Sequence, residues 1–496
     1  MSASVVYLDY AATTPVDARV ASAMSECLTM SGDFGNPSSV HAYGAAAAAR
    51  IERARSQVAA LVGAQPSEII FTSGATESNN LAVLGCARAS AARGRHIVTV
   101  RTEHKSVLDP YRQLEKEGFS VSWLTPERTG RLELAQLARA LRADTVLVSV
   151  MCVNNETGVI QDIGAVGALC RERGIALHSD CAQAAGKTPL DLPALDADFA
   201  SFTAHKLYGP KGIGALYVRG GARGLLQPLT HGGGQERGLR PGTLATHQIV
   251  GFGAACELAA RELPAERTRL AALSARLWRG LEALGGTHLN AADAPRVPGI
   301  VNVSFEGVHG ESLVAGLAAL AVSTGAACSS DSPDPSYVLR ALGRNVQLAQ
   351  SSLRFSLGRP TTEADIDFAV SAVKGELARL RALSPAEGSA ATGAGEVRGE
   401  GGGPGEETWV RFDLVLAGDT VKEARFKAYA CPHTTKVAAW LCRELPGRAR
   451  DALIPGTPAE WATRHGIPVE KLGRLLRVED ALRECLAHWP RGVKIQ

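Results

Sequence analysis

The chain has 496 residues, 45% of them hydrophobic and 21% charged, with a net charge of only +3. This suits a soluble protein of roughly two to four domains, and the dispersed basic residues exclude the charge footprint of a nucleic-acid binder. No run approaches the ~18 to 20 apolar residues that cross a bilayer, the N-terminus lacks a secretory pattern, and the 10 scattered cysteines form no C-x-x-C pair or metal-finger spacing, so a reducing, cytoplasmic location is expected.

In chain order, an extended segment, Tyr7-Leu8-Asp9-Tyr10-Ala11-Ala12-Thr13-Thr14-Pro15, leads into a helix expected over 16–30. An Ala-rich helix follows over 43–61, stopped by Gly63. The short strand Glu68 to Thr72 runs directly into Ser73-Gly74-Ala75-Thr76-Glu77-Ser78-Asn79-Asn80 and a helix. Small residues at a helix start leave backbone N–H groups open, and the helix dipole favours an anion there. Strand and helix then alternate through 97–100, 121–124 and the continuous, mainly apolar run 145–151. A run apolar on successive positions, without polar alternation, suits a strand covered on both faces, as in a parallel sheet, so the fold class is α/β with a mostly parallel sheet.

Such sheets bind ligands at the carboxyl ends of their strands. Those ends carry Thr72 to Thr76, then His104, Asn154-Asn155-Glu156, Asp180 with Gln183, and Thr203 with His205 and Lys206. Alone, Lys206 reads as a surface charge. Together, the strand ends supply an anion cradle, an aromatic ring, an amide, a carboxylate and an amine. Further on, 212–218 is a strand, and 231–243 is too glycine-rich for a regular element. Two helices are expected over 246–262 and up to 284. A smaller unit at 290–382 carries strands 300–305 and 352–356 and a loop bearing Cys328. The stretch 384–408 has the composition of a flexible linker, and 409–485 is a separate α+β unit.

The segments Leu8 to Pro15, Phe71 to Asn80, Thr102-Glu103-His104-Lys105, Val153 to Gly158, His205 to Gly214 and Pro335 to Gly343 resemble the cysteine desulfurases of the IscS/NifS type, pyridoxal-phosphate (PLP) enzymes of the class V aminotransferase family. The resemblance implies the fold type I architecture of PLP-dependent transferases, with a large domain over 16–260 and a small domain from 1–15 and 261–383. It implies that Lys206 holds PLP as a Schiff base and moves protons at the substrate Cα, that Asp180 faces the pyridine nitrogen, that His104 stacks on the ring, and that Gln183 bonds the phenolic oxygen. Ala75, Thr76, Thr203 and His205 are implied for the phosphate, with Thr243 reaching the phosphate of a neighbouring subunit in a homodimer. Asn155 and Arg354 are implied for the cofactor and the carboxylate of L-cysteine. Cys328, among small residues and prolines, is implied as the thiol that takes sulfur as a persulfide for a sulfur-acceptor protein such as an iron–sulfur scaffold; no resident metal is expected beyond transient cluster ligation by Cys328. Departures are Cys152 where the family commonly has histidine, Cys181 and Ala182 beside Asp180, and Ala204 and Pro241 where it has glycine and serine. The same fold also serves selenocysteine lyases and other aminotransferases, and an assembly protein lacking turnover is the remaining alternative.

The unit over 409–496, with Ala424 to Cys431 and Glu479-Asp480-Ala481, resembles the IscU-type iron–sulfur scaffolds. Of their three cysteines only Cys431 matches, Glu406 and Arg474 standing at the other two. One thiolate does not hold a cluster, which leaves a degenerate scaffold that docks partners or relays sulfur through Cys431, a structural Cys431, or a Cys431–His433 metal pair.

Overall fold

The computed structural model describes residues 5–324, 335–384, 395–403 and 406–490; Cys328 lies outside them. Strand β1 (Val6–Tyr7) precedes a seven-stranded sheet made of β2 (Ile69–Thr72), β3 (His96–Val100), β4 (Ser120–Leu124), β5 (Thr145–Ser149), β6 (Ala176–Asp180), β7 (Phe199–Thr203) and β8 (Gly214–Val218). The order is β2-β8-β7-β6-β5-β3-β4. Only β8 runs against the rest.

All of these strands except the edge strand β4 are buried at every residue, which is why they lack the polar–apolar alternation of a half-exposed strand, and the polar residues that they carry, such as His178 and Ser201, are paired with one another. Alternation divides each strand between two cores. Phe71, Val98, Val148, Leu177 and Ala200 face one, and Ile70, Ile97, Leu147, Ala176 and Phe199 face the other, so helices cover both sides.

A four-stranded antiparallel sheet, β12-β13-β10-β9, forms the small domain from β9 (Thr287–Leu289), β10 (Ile300–Phe305), β12 (Ser323–Thr324) and β13 (Ser352–Ser356). Strand β1 pairs in parallel with β11 (Leu320–Ala321), and Leu8 enters the small-domain core. The N-terminal strip thus laces the small domain to the sheet.

Three expectations need correction. The first helix spans only Ala18–Ser25; beyond it Cys27 is buried, but Leu28 and Met30 are exposed, so a continued helix would have little apolar surface to bury. The two helices after 246 are one, Thr246–Glu282, running through Pro264. Pro264 is on the exposed face, where solvent can reach the carbonyl that it leaves unpaired. The glycine-rich stretch expected as linker forms strand β14 (Glu396–Gly403), which pairs with β15 (Thr408–Ala417), itself paired with β16 (Thr420–Tyr429). Its glycines are there for close packing: a Cβ on Gly399 would stand 2.1 Å from the Ala481 carbonyl oxygen, and one on Gly401 2.0 Å from that of Arg477, both on helix Leu472–His488. This C-terminal module has its own core around Phe412, Trp440 and Trp461. Among the described residues no helix is long and apolar enough to cross a membrane.

Candidate active site

A cavity of about 560 Å³ opens at the carboxyl ends of the large sheet, within the range of small-molecule sites. Ala75, Thr76, His104, Asn155, Asp180, Gln183, Thr203, His205, Lys206 and Arg354 all line it. Thr243 does not: it is exposed on the 231–243 loop. Cys431 is in the C-terminal module.

One end of the cavity is the start of helix Ala75–Ala89. Its N-cap is Gly74, at φ +157° and without any side-chain cap, so the first N–H groups stay open to an anion. Thr203 borders the same end, its Oγ1 3.8 Å from where a Cβ on Gly74 would stand, and His205 lines the same cavity. His205 Nδ1 lies 3.1 Å from Thr13 Oγ1, and burial, then the charges of Lys206, Lys211 and Lys187, hold its ring down at about 4; it is neutral at pH 7.

Asp180 stands deeper. Its Oδ2 accepts from Asn79 Nδ2 at 2.8 Å and its Oδ1 from the Ala182 N–H at 2.9 Å, which fix its direction from both sides. His104 caps helix Lys105–Lys116, and its Nδ1 accepts the Ser106 N–H at 3.2 Å. The proton of the neutral ring is therefore on Nε2. Burial lowers the His104 pKa against the opposing pull of Asp180.

Lys206 ends a short turn, Ala204–Lys206, directly after β7. The chain is held there by Thr14, whose N–H and hydroxyl both donate to the His205 carbonyl at 2.9 Å and whose hydroxyl accepts the Tyr208 N–H at 2.8 Å. Tyr208 adopts φ +66°, a conformation unusual for a bulky residue, and this lacing holds it.

Arg354 on β13 donates to the Asn155 carbonyl and to Asp9 Oδ1, both at 2.8 Å. Its Nε and Asn155 Oδ1 are buried without a partner among the described residues. Unpaired buried polar atoms cost roughly 1–3 kcal/mol each, so a polar guest that bonds them is favoured. Next to His104 in sequence, Glu103, fully buried, accepts the Met151 N–H at 2.5 Å, and burial pushes its pKa well above the usual range.

Sequence reading missed Asp9, Thr13, Thr14, Asn79, Ser106 and Lys187. The first three fall in the Leu8 to Pro15 segment, which pointed to the site without showing what each residue does. The departures Cys152 and Cys181 are both buried and sit side by side, the Cys152 N–H donating to the Asp180 carbonyl at 2.9 Å.

Cys431 is fully buried, its Sγ 3.3 Å from Thr434 Oγ1 and beside the Arg474 guanidinium. This is where the module meets the small domain: Ser312 Oγ donates to the Ala430 carbonyl at 2.6 Å, and Glu311 pairs with Lys471 at 3.0 Å and Arg474 at 3.2 Å. Arg474 also pairs with Glu407 at 3.0 Å. A sulfur relay through Cys431 requires this junction to open.

Residues 6–368 match the family model for class-V aminotransferases. The cysteine desulfurase IscS of Pectobacterium atrosepticum is 55% identical over 381 residues, 77% of this chain and 94% of that protein, and that of Aeromonas hydrophila is 56% identical over the same length. Among solved structures, a NifS-like protein superposes with a TM-score of 0.71 at 37% identity, over 76% of this chain and all of the other. SspA in complex with cysteine has a TM-score of 0.64 at 38% identity, covering 71% and 98%.

Proposed function

Because this chain belongs to the class-V aminotransferase family, we propose from its site that it is a PLP-dependent cysteine desulfurase, converting L-cysteine to L-alanine and leaving the sulfur as a persulfide on Cys328. The observation that carries this is the convergence of Lys206, Asp180, His104 and an open helix N-terminus on one cavity.

That donor set fits the cofactor. The Gly74 turn, Thr76, Thr203 and His205 suit the phosphate, the Asp180 carboxylate suits a protonated pyridine nitrogen, the His104 ring suits stacking, and a Gln183 N–H suits the phenolic oxygen. When bound, PLP supplies an electron sink for charge at the substrate Cα. The chain's own groups do the rest. The Lys206 amine holds the cofactor and, once released, carries protons at the substrate Cα. Arg354, with Nε left to donate, orients the substrate carboxylate together with Asn155. The Cys328 thiolate attacks the substrate sulfur, forming the S–S bond as the C–S bond breaks, and the Cα/Cβ remainder leaves as alanine after protonation.

The described chain on either side of Cys328 supports this role. Ser323 and Thr324 pair with Arg354 and Leu353. On the other side Ser336 Oγ donates to Glu156 Oε2 at 2.5 Å, and the Tyr337 hydroxyl to the Glu103 carbonyl at 2.7 Å. Both anchors adjoin cavity residues.

A homodimer fits the exposed Leu28, Met30, Phe34, Val40 and Tyr43 and the outward loop with Thr243. The C-terminal module acts as a degenerate, IscU-like docking unit for sulfur acceptors in the cytoplasm, with Cys431 as a relay when the junction opens. Labelled sulfur from cysteine then appears on Cys431 as well as Cys328.

The test is alanine release from L-cysteine. Cys328→Ala abolishes it while the cofactor absorbance persists; alanine release that survives this change contradicts the mechanism.

A further inference from the structure

A second lysine stands next to the site, and the chemistry above leaves it idle. Lys187 follows Gln183 by four residues and is half-buried as a whole, but its amine lies inside the protein and donates to Gln183 Oε1. At the other end of the same amide, Gln183 Nε2 donates to the Ala11 carbonyl at 2.8 Å. A backbone carbonyl can only accept, so the two partners agree on one orientation. The second Nε2 hydrogen is then the only donor Gln183 has left for the cavity that it lines.

Behind Gln183, Lys187 and Lys206 share a smaller cavity of about 40 Å³, room for a few water molecules at most. Tyr10, Tyr208, Glu266, Arg267 and Arg359 complete its titratable and charged lining. Burial, then Lys206 and Arg354, pull the Lys187 amine down to about 7, with Glu266 opposing.

We propose that Lys187 is a positioning residue for the desulfurase reaction: it locks the Gln183 amide with an N–H toward the phenolic oxygen of the cofactor and, while protonated, adds positive charge behind Lys206. This rests on the reading that PLP lies against Gln183. A fixed donor and a nearby cation both favour the ionised oxygen and disfavour a proton on the nitrogen that joins cofactor and lysine.

The test is a spectrophotometric pH titration of the visible absorbance of the full-length, PLP-loaded protein. Lys187→Met is expected to retain the absorbance but move its midpoint upward by roughly half a unit or more, and Lys187→Arg to return most of the shift. Should Lys187→Met not fold or load, Lys187→Gln, which keeps a donor and drops the charge, is expected to shift the midpoint the same way by less. An unchanged midpoint in the loaded variant, with the titrating band absent from Lys206→Ala, overturns the role of Lys187 alone. A Lys206→Ala protein whose absorbance still titrates with the midpoint of the unaltered protein overturns the cofactor site and this inference with it.

Discussion

The cavity at the strand ends and the junction around Cys431 both bring charged groups and a reactive residue type into the interior, but they use their polar groups in opposite ways. At the cavity, Asn155 Oδ1 and Arg354 Nε are buried with no partner among the described residues, and the helix behind Gly74 lacks a side-chain cap. At the junction, Glu311 is taken by Lys471 and Arg474, and Arg474 also by Glu407. A site built for a guest holds bonds in reserve; an interface between modules uses its charges on itself. The Arg474 guanidinium beside Cys431 is thus an interface cation first.

Substitutions that separate these two regions sharpen the contrast. The largest effect belongs to Asp180→Asn. It keeps the shape but removes the carboxylate between Asn79 and Ala182, and alanine release is expected to fall by roughly 100-fold or more; a fall under about threefold would mean that Asp180 only packs.

Glu156, next in sequence to the cavity residue Asn155, gives a pH signature. Burial raises its carboxyl from 4.5 to about 7, against the Ser336 bond and the Arg354 charge. The folded protein therefore binds this proton more tightly than the unfolded chain. The stability it contributes is complete below about 4.5, is lost as pH rises toward about 7, and is level above that. The loss is on the order of 3 kcal/mol. Glu156→Gln is expected to flatten the fall in urea midpoint between pH 5 and 7.5; an identical slope in the variant assigns the fall to another group.

The smallest effect on turnover belongs to Gly399→Ala. Its Cβ meets the Ala481 carbonyl, so the C-terminal module is expected to lose about 1–3 kcal/mol while alanine release is unchanged. Limited proteolysis should release the module first. A parallel loss of alanine release would show that turnover depends on the docked module.

Much of the site was legible because the central strands are buried on both faces: an unbroken apolar run such as Thr145 to Met151 has a clear end, and the polar residue after it is a candidate. Lys206, Asp180 and His104 were found this way. Strand β14 was not, because composition marks Gly399 and Gly401 as linker, and only the helix packed on them shows that a side chain has no room. Lys187 escaped for a related reason. Its role depends on which way one amide points, and that is decided by Ala11, far away in sequence. Pro264 misled for want of knowing which face of the helix was exposed.

The central claim is that one particular amine among three holds the cofactor, since Lys206, Lys211 and Lys187 all stand at or behind the cavity. Borohydride reduction of the PLP-loaded protein, followed by peptide mass mapping, tests it directly. The pyridoxyl mass is expected on the peptide containing Lys206 and to disappear in Lys206→Ala. Its appearance on Lys187 or Lys211 in the unaltered protein would contradict the account.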